Sequence, residues 1–278
     1  WPRDDQYYGR NNWAGKIAAA DGTPILDSPI NNAFAHYLNI QLFLAGETFG
    51  NSAHAVAVEG ELYRARRTIE TFDTCALRFT TENGVLLQIM LTHTVARNGS
   101  PTIRVECENG TVYWKVDDSW NICAADGSLL YSGVVEAPHK DMFMDMVRRI
   151  TGEQTFRCSL SMALEHTHCI ELMTGKLTPR ELTGSVTRLE PNGQFWIVWK
   201  RCSTRDTGAD FFRPNSASSG NDRLFKAAVF PPLLLPPDYG SSSSSSGVGG
   251  SNNPLHSSRF SFVIKKTAFS STVRLRFS

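Results

Sequence analysis

The sequence lacks an excess of charge of either sign and lacks a long hydrophobic run. Its 278 residues include 28 Lys and Arg against 27 Asp and Glu, so the formal net charge is +1. A nucleic-acid-binding domain usually carries a basic stripe, and a membrane span needs about 18 consecutive apolar residues. The longest dense apolar run, at 230–235, is interrupted by Pro231 and Pro232. We therefore expect neither a nucleic-acid partner nor a membrane span.

Metal-binding and disulfide patterns are also missing, although the chain has six cysteines. No two of them form a Cys-x-x-Cys pair and their spacing is irregular, whereas zinc sites and disulfide frameworks show regular spacing. We therefore predict no metal, reduced and mostly buried thiols, and a reducing compartment such as the cytoplasm. The cysteines are Cys75, Cys107, Cys123, Cys158, Cys169 and Cys202.

A glycine-rich loop that could hold a phosphate is absent as well. The nearest pattern, at 247–250, lies in a serine-rich stretch with no strand before it. Asn252 stands where the third glycine of a dinucleotide fingerprint belongs. We therefore expect no nucleotide site within this chain.

The composition changes near residue 200. Hydrophobic residues make up 41% of the chain, which is enough for a core. The sequence after residue 204, however, is rich in Ser, Gly and Pro and includes Ser241–Ser246. Such segments bury little apolar surface. We predict a folded domain at 1–204 and a low-complexity tail at 205–278, either disordered or aberrant. The alternative is a hairpin within Arg259–Phe277 that pairs with a sheet edge.

The folded part reads as an α+β domain. Helical periodicity predicts helices at 29–45, 140–150 and 160–173, with Ser28 and Pro29 as the start of the first one, and with Gly46 and Gly175 as helix ends. Asn-Gly and Asp-Gly pairs between extended segments are typical of antiparallel hairpins. The extended segments predict one mostly antiparallel open sheet with helices packed on one face. They lie at 55–63, 75–81, 85–95, 102–108, 111–115 and 129–135.

A first candidate binding segment runs from Tyr7 to Lys16. It combines aromatic rings with amides and cations, and this combination suits a polyhydroxylated ligand because rings stack on C–H faces while Arg and Asn bond to hydroxyls. The alternative is an exposed edge strand with ordinary polar side chains. The residues we assign to substrate binding are Tyr8, Arg10, Asn11, Trp13 and Lys16.

A second candidate segment begins at Asp27, at the start of the first predicted helix. A carboxylate is stabilised at the positive end of a helix, and residues four apart share a helix face. The residues expected to line one wall are Asp27, Asn31, Asn32 and His36, and we assign Asn32 to substrate binding with the residues of the first segment. The alternative is a capped amphipathic helix with a polar outer face.

These two segments together resemble the C-terminal domain of the Gfo/Idh/MocA oxidoreductases, which include glucose-fructose oxidoreductase and inositol dehydrogenase. The resemblance rests on residues 7–46 and on the downstream segments Ile69–Arg78, Leu91–His93 and Gly110–Trp114, which follow in the same order. It covers about residues 1–200 and none of the tail.

The resemblance implies a fragment of a two-domain enzyme that oxidises a hydroxyl of a sugar, sugar acid or cyclitol by hydride transfer. NAD or NADP would be bound by an N-terminal Rossmann domain that is missing here, so the chain alone would be inactive. The open sheet would form a homo-oligomer. A non-catalytic oligomerisation or carbohydrate-binding module is the alternative.

One position departs from the family pattern. Relatives often have a histidine four residues after the aspartate, and Asn31 stands there instead. Because an amide does not titrate, Asn31 is not a general base, although it can bond to a hydroxyl. The candidate catalytic residues are Asp27, Asn31 and, as a substitute for the missing histidine, His36, which could equally be a buried or interface residue. We interpret His93 as a core histidine.

Limited proteolysis tests the domain boundary. We expect rapid cleavage between about Ser203 and Ser258 and a stable core of residues 1 to about 200, because a serine-rich segment cannot offset the ~1–2 kcal/mol of backbone entropy lost per ordered residue. A tail that resists protease, or a core that unfolds when the tail is removed, would place the boundary elsewhere.

Overall fold

The computed structural model describes residues 1–95, 99, 101–115, 119–135, 139–153 and 158–182. It also describes the backbone of 187–189, 195–197, 199–203, 210–214 and 274–277, and residues 139–142 likewise by their backbone alone.

Helices occur before and after the main run of strands. The α-helices are α1 (Asp5–Gly9), α2 (Ala35–Ala45), α3 (His139–Ile150) and α4 (Leu160–Lys176), and a 3₁₀ turn at Pro29–Asn31 precedes α2. Asp4 caps α1 by accepting from the Tyr7 amide, and Ser159 caps α4 by accepting from the Met162 amide. The predicted helices at 140–150 and 160–173 are confirmed as α3 and α4. Gly175 does not end α4, which continues to Lys176.

The strands are numbered in chain order. They are β1 (Ala55–Arg64), β2 (Thr74–Thr81), β3 (Leu86–Thr92), β4 (Thr102–Cys107), β5 (Gly110–Lys115), β6 (Ser119–Ala124), β7 (Leu129–Val134), β8 (Arg180–Glu181), β9 (Thr187–Leu189), β10 (Phe195–Ile197), β11 (Trp199–Ser203), β12 (Asp210–Pro214) and β13 (Arg274–Phe277).

Nine of these strands form one sheet in the order β7-β6-β5-β4-β13-β3-β2-β1-β8. Its pairs are antiparallel except β1 with β8 and β13 with β3. Asn83-Gly84, Asn109-Gly110 and Asp126-Gly127 lie between antiparallel neighbours, as predicted, whereas the pair at 98–99 extends outside the described residues. The α+β class with a mostly antiparallel sheet is confirmed.

The segment we assigned to the tail contains two described strands. β12 pairs with β11. β13 lies between β3 and β4 and so joins two meanders of the sheet, β1–β3 and β4–β7, while β8 pairs with β1 at the edge. The boundary at residue 204 stays a prediction, which the proteolysis experiment tests.

The core lies between the sheet and helices α2 and α4. Alternate residues of β2 and β3 face the helices because side chains alternate across a strand. The main contributors are Cys75, Leu77, Phe79, Leu87, Ile89 and Leu91 from the strands, and Leu38, Leu42, Cys169, Ile170 and Met173 from the helices. Of the five cysteines whose side chains are described, all are free thiols, but only Cys75 and Cys169 are buried. The expectation that the thiols are mostly buried is therefore wrong for these five.

The first predicted helix is interrupted. α2 begins only at Ala35, and Asn32 has φ −137° and ψ −99°, outside the helical region. The side-chain Nδ2 of Asn31 donates to the Leu26 carbonyl, and the side-chain Nδ2 of Asn32 donates to the Asp27 carboxylate. Both asparagines therefore favour a non-helical turn. A continuous helix from Pro29 capped by Ser28, which makes no side-chain capping bond, was a wrong prediction, whereas the end at Ala45 is confirmed.

Gly60 lets β1 approach β2 closely. Its φ is +146°, and a Cβ there would lie 2.2 Å from the Ala76 carbonyl oxygen. We expect Gly60→Ala to lower the free energy of unfolding by about 2 kcal/mol or more, because both the backbone conformation and the strand spacing would be strained. The measurement is urea unfolding.

Gly175→Ala is the matched control for Gly60→Ala. Gly175 lies in the last turn of α4, where nothing stands within 4 Å of an added Cβ. We expect this variant to be as stable as the wild type or up to about 1 kcal/mol more stable. Equal stability of the two variants would contradict the close approach at Gly60.

Candidate functional site

Asp27 is a buried carboxylate, 6% exposed, that is held on both oxygens. Its Oδ2 accepts a 2.6 Å hydrogen bond from the Gly15 amide, and its Oδ1 accepts from Asn32 Nδ2 at 2.8 Å. The backbone carbonyl of Asp27 also accepts from the Thr71 hydroxyl. The first and second candidate segments therefore meet at this carboxylate.

Gly15 makes this meeting possible. Its φ is +70°, a conformation that favours glycine, and a Cβ would lie 2.6 Å from Ile69 Cγ2. The Gly15 carbonyl accepts from the amides of Glu70 and Thr71. One glycine thus bonds to Asp27 through its N–H and to the loop after β1 through its C=O.

The first segment is organised around a stack of rings and a guanidinium. The Arg10 guanidinium carbon lies 3.6 Å from the centre of the Tyr7 ring and 5.0 Å from that of Trp13, and Arg10 also donates to the Tyr7 carbonyl. Arg10 and Trp13 are exposed. We call Tyr7, Arg10 and Trp13 the aromatic strip. It offers a flat face and a cation to a ligand.

The remaining predicted residues of the first segment have supporting contacts. Asn11 Oδ1 accepts from the amides of Trp13 and Ala14 and so shapes the turn under the strip. Lys16 Nζ pairs with Glu70 at 2.8 Å, and this bond lowers the pKa of the Glu70 carboxyl. The structure shows Asn11 and Lys16 bonding within the protein, so their use in substrate binding stays a prediction.

The second segment is not one helical wall. Asn32 lies against Asp27, but Asn31 turns its amide nitrogen to the Leu26 carbonyl. His36 is exposed on α2, with its ring against Tyr37. Because the helix begins after Asn32, the i,i+4 relation between Asn32 and His36 does not place them on one helix face. That prediction of the local structure was wrong. The catalytic roles of Asp27, Asn31 and His36 stay predictions.

Tyr8 connects the strip to His93. Its hydroxyl lies 3.3 Å from His93 Nδ1, and a Cβ on Gly15 would lie 3.4 Å from Tyr8 Cδ1. Burial, with the charges of Asp73 and Asp27, raises the pKa of Tyr8, so the phenol is neutral. Tyr8 is therefore placed beside the Asp27–Gly15 junction.

A buried arginine ties α1 to the loop after β1. Asp73 Oδ2 accepts from the amides of Ala65 and Arg66, and burial raises the pKa of the Asp73 carboxyl to about 6. The buried Arg66 guanidinium pairs with Asp5 of α1 and lies 5.0 Å from the centre of the Tyr8 ring. The Arg66 guanidinium thus packs against the Tyr8 ring and supports its position.

Helix α4 supports the 3₁₀ turn next to Asp27. His166 Nε2 lies 3.0 Å from the Ile30 carbonyl, which can only accept, so the nitrogen donates. His168 Nε2 lies 2.9 Å from the carbonyl of Ala55, on a different element. The two histidines therefore act separately, and the described residues contain no group of three side chains suited to a metal ion.

Sequence reasoning missed three residues of the site. Gly15 was noted only as part of a polar segment, although glycine is the residue that most readily adopts a positive φ. His93 was interpreted as a core residue, yet it bonds to a predicted binding residue. Thr71 carried no signal, because its bond to the Asp27 carbonyl spans 44 positions of sequence.

Comparisons with known proteins give structural matches only. No family model and no curated protein matches the sequence. One similar structure is the WlbA dehydrogenase from Bordetella pertussis in complex with NADH and UDP-GlcNAcA, at 18% identity and a TM-score of 0.46, covering 63% of this chain and 49% of that one. Another is the WlbA dehydrogenase from Chromobacterium violaceum in complex with the same two molecules, at 17% identity and a TM-score of 0.42, covering 62% and 47%.

The chain spans about half the length of these two solved structures. Within the described ranges, no helix combines the length and apolar character that a membrane crossing requires.

The buried His93 makes stability depend on pH. Burial, aided by the charge of Arg3, lowers the pKa of His93 to about 3 from an ordinary 6.5. Between these values the unfolded chain binds more protons than the folded one, so stability present above pH 6.5 is lost as the pH falls. Asp73 acts oppositely: its raised pKa contributes stability at low pH that is lost as the pH rises through about 6.

His93→Phe isolates the contribution of His93. From about pH 7 to about pH 5.5, we expect the unfolding free energy of the wild type to fall by about 1 kcal/mol more than that of the variant. The measurement is urea unfolding at both pH values. Val56→Ala changes an exposed side chain that carries no titratable group and should leave the pH dependence of the wild type unchanged. Equal pH dependence of wild type and His93→Phe would show that His93 titrates normally.

Proposed function

We propose that this chain is the C-terminal part of an NAD(P)-dependent oxidoreductase that acts on a hydroxyl of a sugar, sugar acid or cyclitol by hydride transfer. The observation that carries the proposal is the buried Asp27 carboxylate, fixed by Gly15 and Asn32 beside the aromatic strip. The sequence resemblance to the Gfo/Idh/MocA oxidoreductases supports the same reaction.

Asp27 is suited to bind a substrate hydroxyl. A carboxylate has about four lone-pair positions, and the side chain of Asp27 uses one on each oxygen within the protein. The remaining positions can accept a hydroxyl hydrogen and so orient the carbon that is oxidised. Asn32 keeps a second amide hydrogen and its oxygen for a neighbouring hydroxyl, and the strip can stack on the ring of the substrate.

NAD or NADP is the cofactor that the proposal requires, and it would be held by a preceding domain. The helices that the structure describes do not themselves fit a dinucleotide. A pyrophosphate site needs a glycine-rich turn that opens a helix, and no glycine occurs in the five residues before α2, α3 or α4 or in the four before α1. What this chain would contribute is the binding and orientation of the substrate.

Asp27→Ala tests the proposal in the full-length dehydrogenase that contains this domain. We expect turnover to fall by well over tenfold, and by as much as about 10²-fold, because a positioned polar group at the reacting centre is lost. Asp21→Ala is the control, since Asp21 is exposed and bonds only to Thr23. Normal turnover of Asp27→Ala with unchanged thermal stability would contradict the assignment.

A second candidate, an oligomerisation module, is favoured by exposed apolar residues at one edge of the sheet and on α3. Large exposed apolar side chains clustered on one element often mark interfaces. The exposed residues are Leu129, Leu130, Tyr131 and Val134 on β7, and Phe143, Met146, Val147 and Ile150 on α3. We propose that a second copy of the chain covers them, which is compatible with either function.

Sedimentation analysis of Phe143→Asp with Ile150→Asp tests this oligomer. We expect the wild type to sediment as a dimer or larger and the double variant as a monomer, because two buried charges would be unpaired in the interface. Val56→Asp, an exposed apolar residue on β1, should leave the oligomer intact. A monomeric wild type would remove the support for self-association.

A further inference from the structure

His93 is almost completely buried, yet its bonding is incomplete. The side chain is 2% exposed, and its ring lies 5.9 Å from that of Tyr7 and 5.6 Å from that of Phe34. Nδ1 has the Tyr8 hydroxyl as partner, but Nε2 is buried without a hydrogen-bond partner among the described residues. A core histidine would normally have both nitrogens paired.

An unpaired buried nitrogen is costly. Leaving a buried donor or acceptor without a partner costs about 1–3 kcal/mol. The aromatic neighbours of His93 cannot serve as conventional partners for Nε2. A group from outside the described residues, either a ligand or a water molecule, would remove this cost.

The charges around His93 restrict the chemistry of that group. Arg3 donates its backbone N–H to the His93 carbonyl, and its guanidinium lies 4.6 Å from the centre of the Tyr7 ring. A cation would be repelled by Arg3, so a metal ion is a poor partner for Nε2. Because the imidazole is neutral, Nε2 is either a donor or an acceptor, according to the direction of the Tyr8 bond. A hydroxyl can satisfy both cases, since it donates and accepts.

A second unpaired group lies beside Asp27. Ser28 is buried, and its Oγ has no hydrogen-bond partner within the described part of the chain. Ser28 follows Asp27 directly, and Asp27 is joined through Gly15 to the Tyr8 ring and thus to His93. Ser28 is thus adjacent in sequence to the Asp27–Gly15 junction, and His93 is linked to the same junction through Tyr8.

We propose that His93 is a ligand-binding residue of this site: its Nε2 binds one hydroxyl of a neutral polyhydroxylated ligand, and the Ser28 hydroxyl binds another. Tyr8 is the positioning residue, because its bond to Nδ1 selects the state of Nε2. This inference rests on the proposed function, since it takes the sugar or cyclitol as the ligand. It assigns ligand binding to His93, which directly follows β3, in addition to residues of the two N-terminal segments.

The test is a titration of the full chain with myo-inositol and with D-glucose, followed by the imidazole nitrogen resonances of the histidines. We expect the His93 Nε2 resonance to shift on binding of at least one probe, while that of His54, which pairs with Glu165 of α4, stays constant. His93→Phe keeps a ring of similar shape, and we expect it to weaken probe binding roughly fivefold or more, the value of a lost hydrogen bond. His54→Phe is the control, because His54 is not a residue of the candidate site, and it should bind like the wild type.

Tyr8→Phe separates positioning from structure. It removes only the hydroxyl, so we expect the His93 nitrogen resonances to change in the free protein and probe affinity to fall, with circular dichroism unchanged. Because the wild-type titration needs no variant, the inference stays testable even if His93→Phe does not fold.

Each other outcome overturns the inference in a different way. If a probe binds without moving the His93 resonance, His93 is not a binding residue, but the proposed function stands. If Nε2 contacts only an ordered water that the probes do not displace, the unpaired nitrogen has a structural explanation. If neither probe binds at any concentration, the neutral polyol is excluded as the ligand. Normal turnover of Asp27→Ala in the full-length enzyme would count against the proposed function itself.

Discussion

The bond between the Gly15 amide and the Asp27 carboxylate is the constraint on which the candidate site depends. It joins the first polar segment to the start of the helical region, twelve positions along the chain, and it does so in the protein interior. A buried carboxylate needs such partners because its desolvation is otherwise too costly. Asn32 supplies the second partner, and in doing so it prevents the helix from beginning at Pro29.

The sheet and α4 provide the rigid frame for this bond. The loop that connects β1 to β2 carries Thr71 and Asp73. His166 of α4 bonds to the carbonyl of Ile30 in the 3₁₀ turn. Thr71 and Ile30 thus restrain the Asp27 region from two sides. A carboxylate held by one backbone donor, one side-chain donor and two packed elements is pre-organised, which is what the proposed orientation of a substrate requires.

The strands were predictable because their residues alternate with a period of two and because Asn-Gly and Asp-Gly pairs separate them. β6 was not predicted, since Asn121 and Ser119 interrupt its apolar pattern and its place is set by β5 and β7. α1 was missed because five residues give no periodicity. The meeting of Asp27 with Gly15 could not be predicted, because sequence spacing says nothing about a bond between a loop amide and a distant carboxylate. His93 looked like a core residue, since Leu87, Ile89 and Leu91 share its strand pattern and local sequence does not reveal an unpaired nitrogen.

The aromatic strip and Asp27 are attached to the fold in unequal ways. Asp27 is fixed by a buried backbone amide and by backbone bonds on both sides, whereas Arg10 and Trp13 are exposed on a short segment that is tied to the sheet mainly through Tyr8 and the Arg66–Asp5 pair. If the proposed function holds, substitutions at Arg10 or Trp13 would therefore alter ligand recognition while leaving the carboxylate in place. A lineage that carried this domain would have a low-cost route to new ligands: the exposed segment can diversify while the buried junction is inherited unchanged.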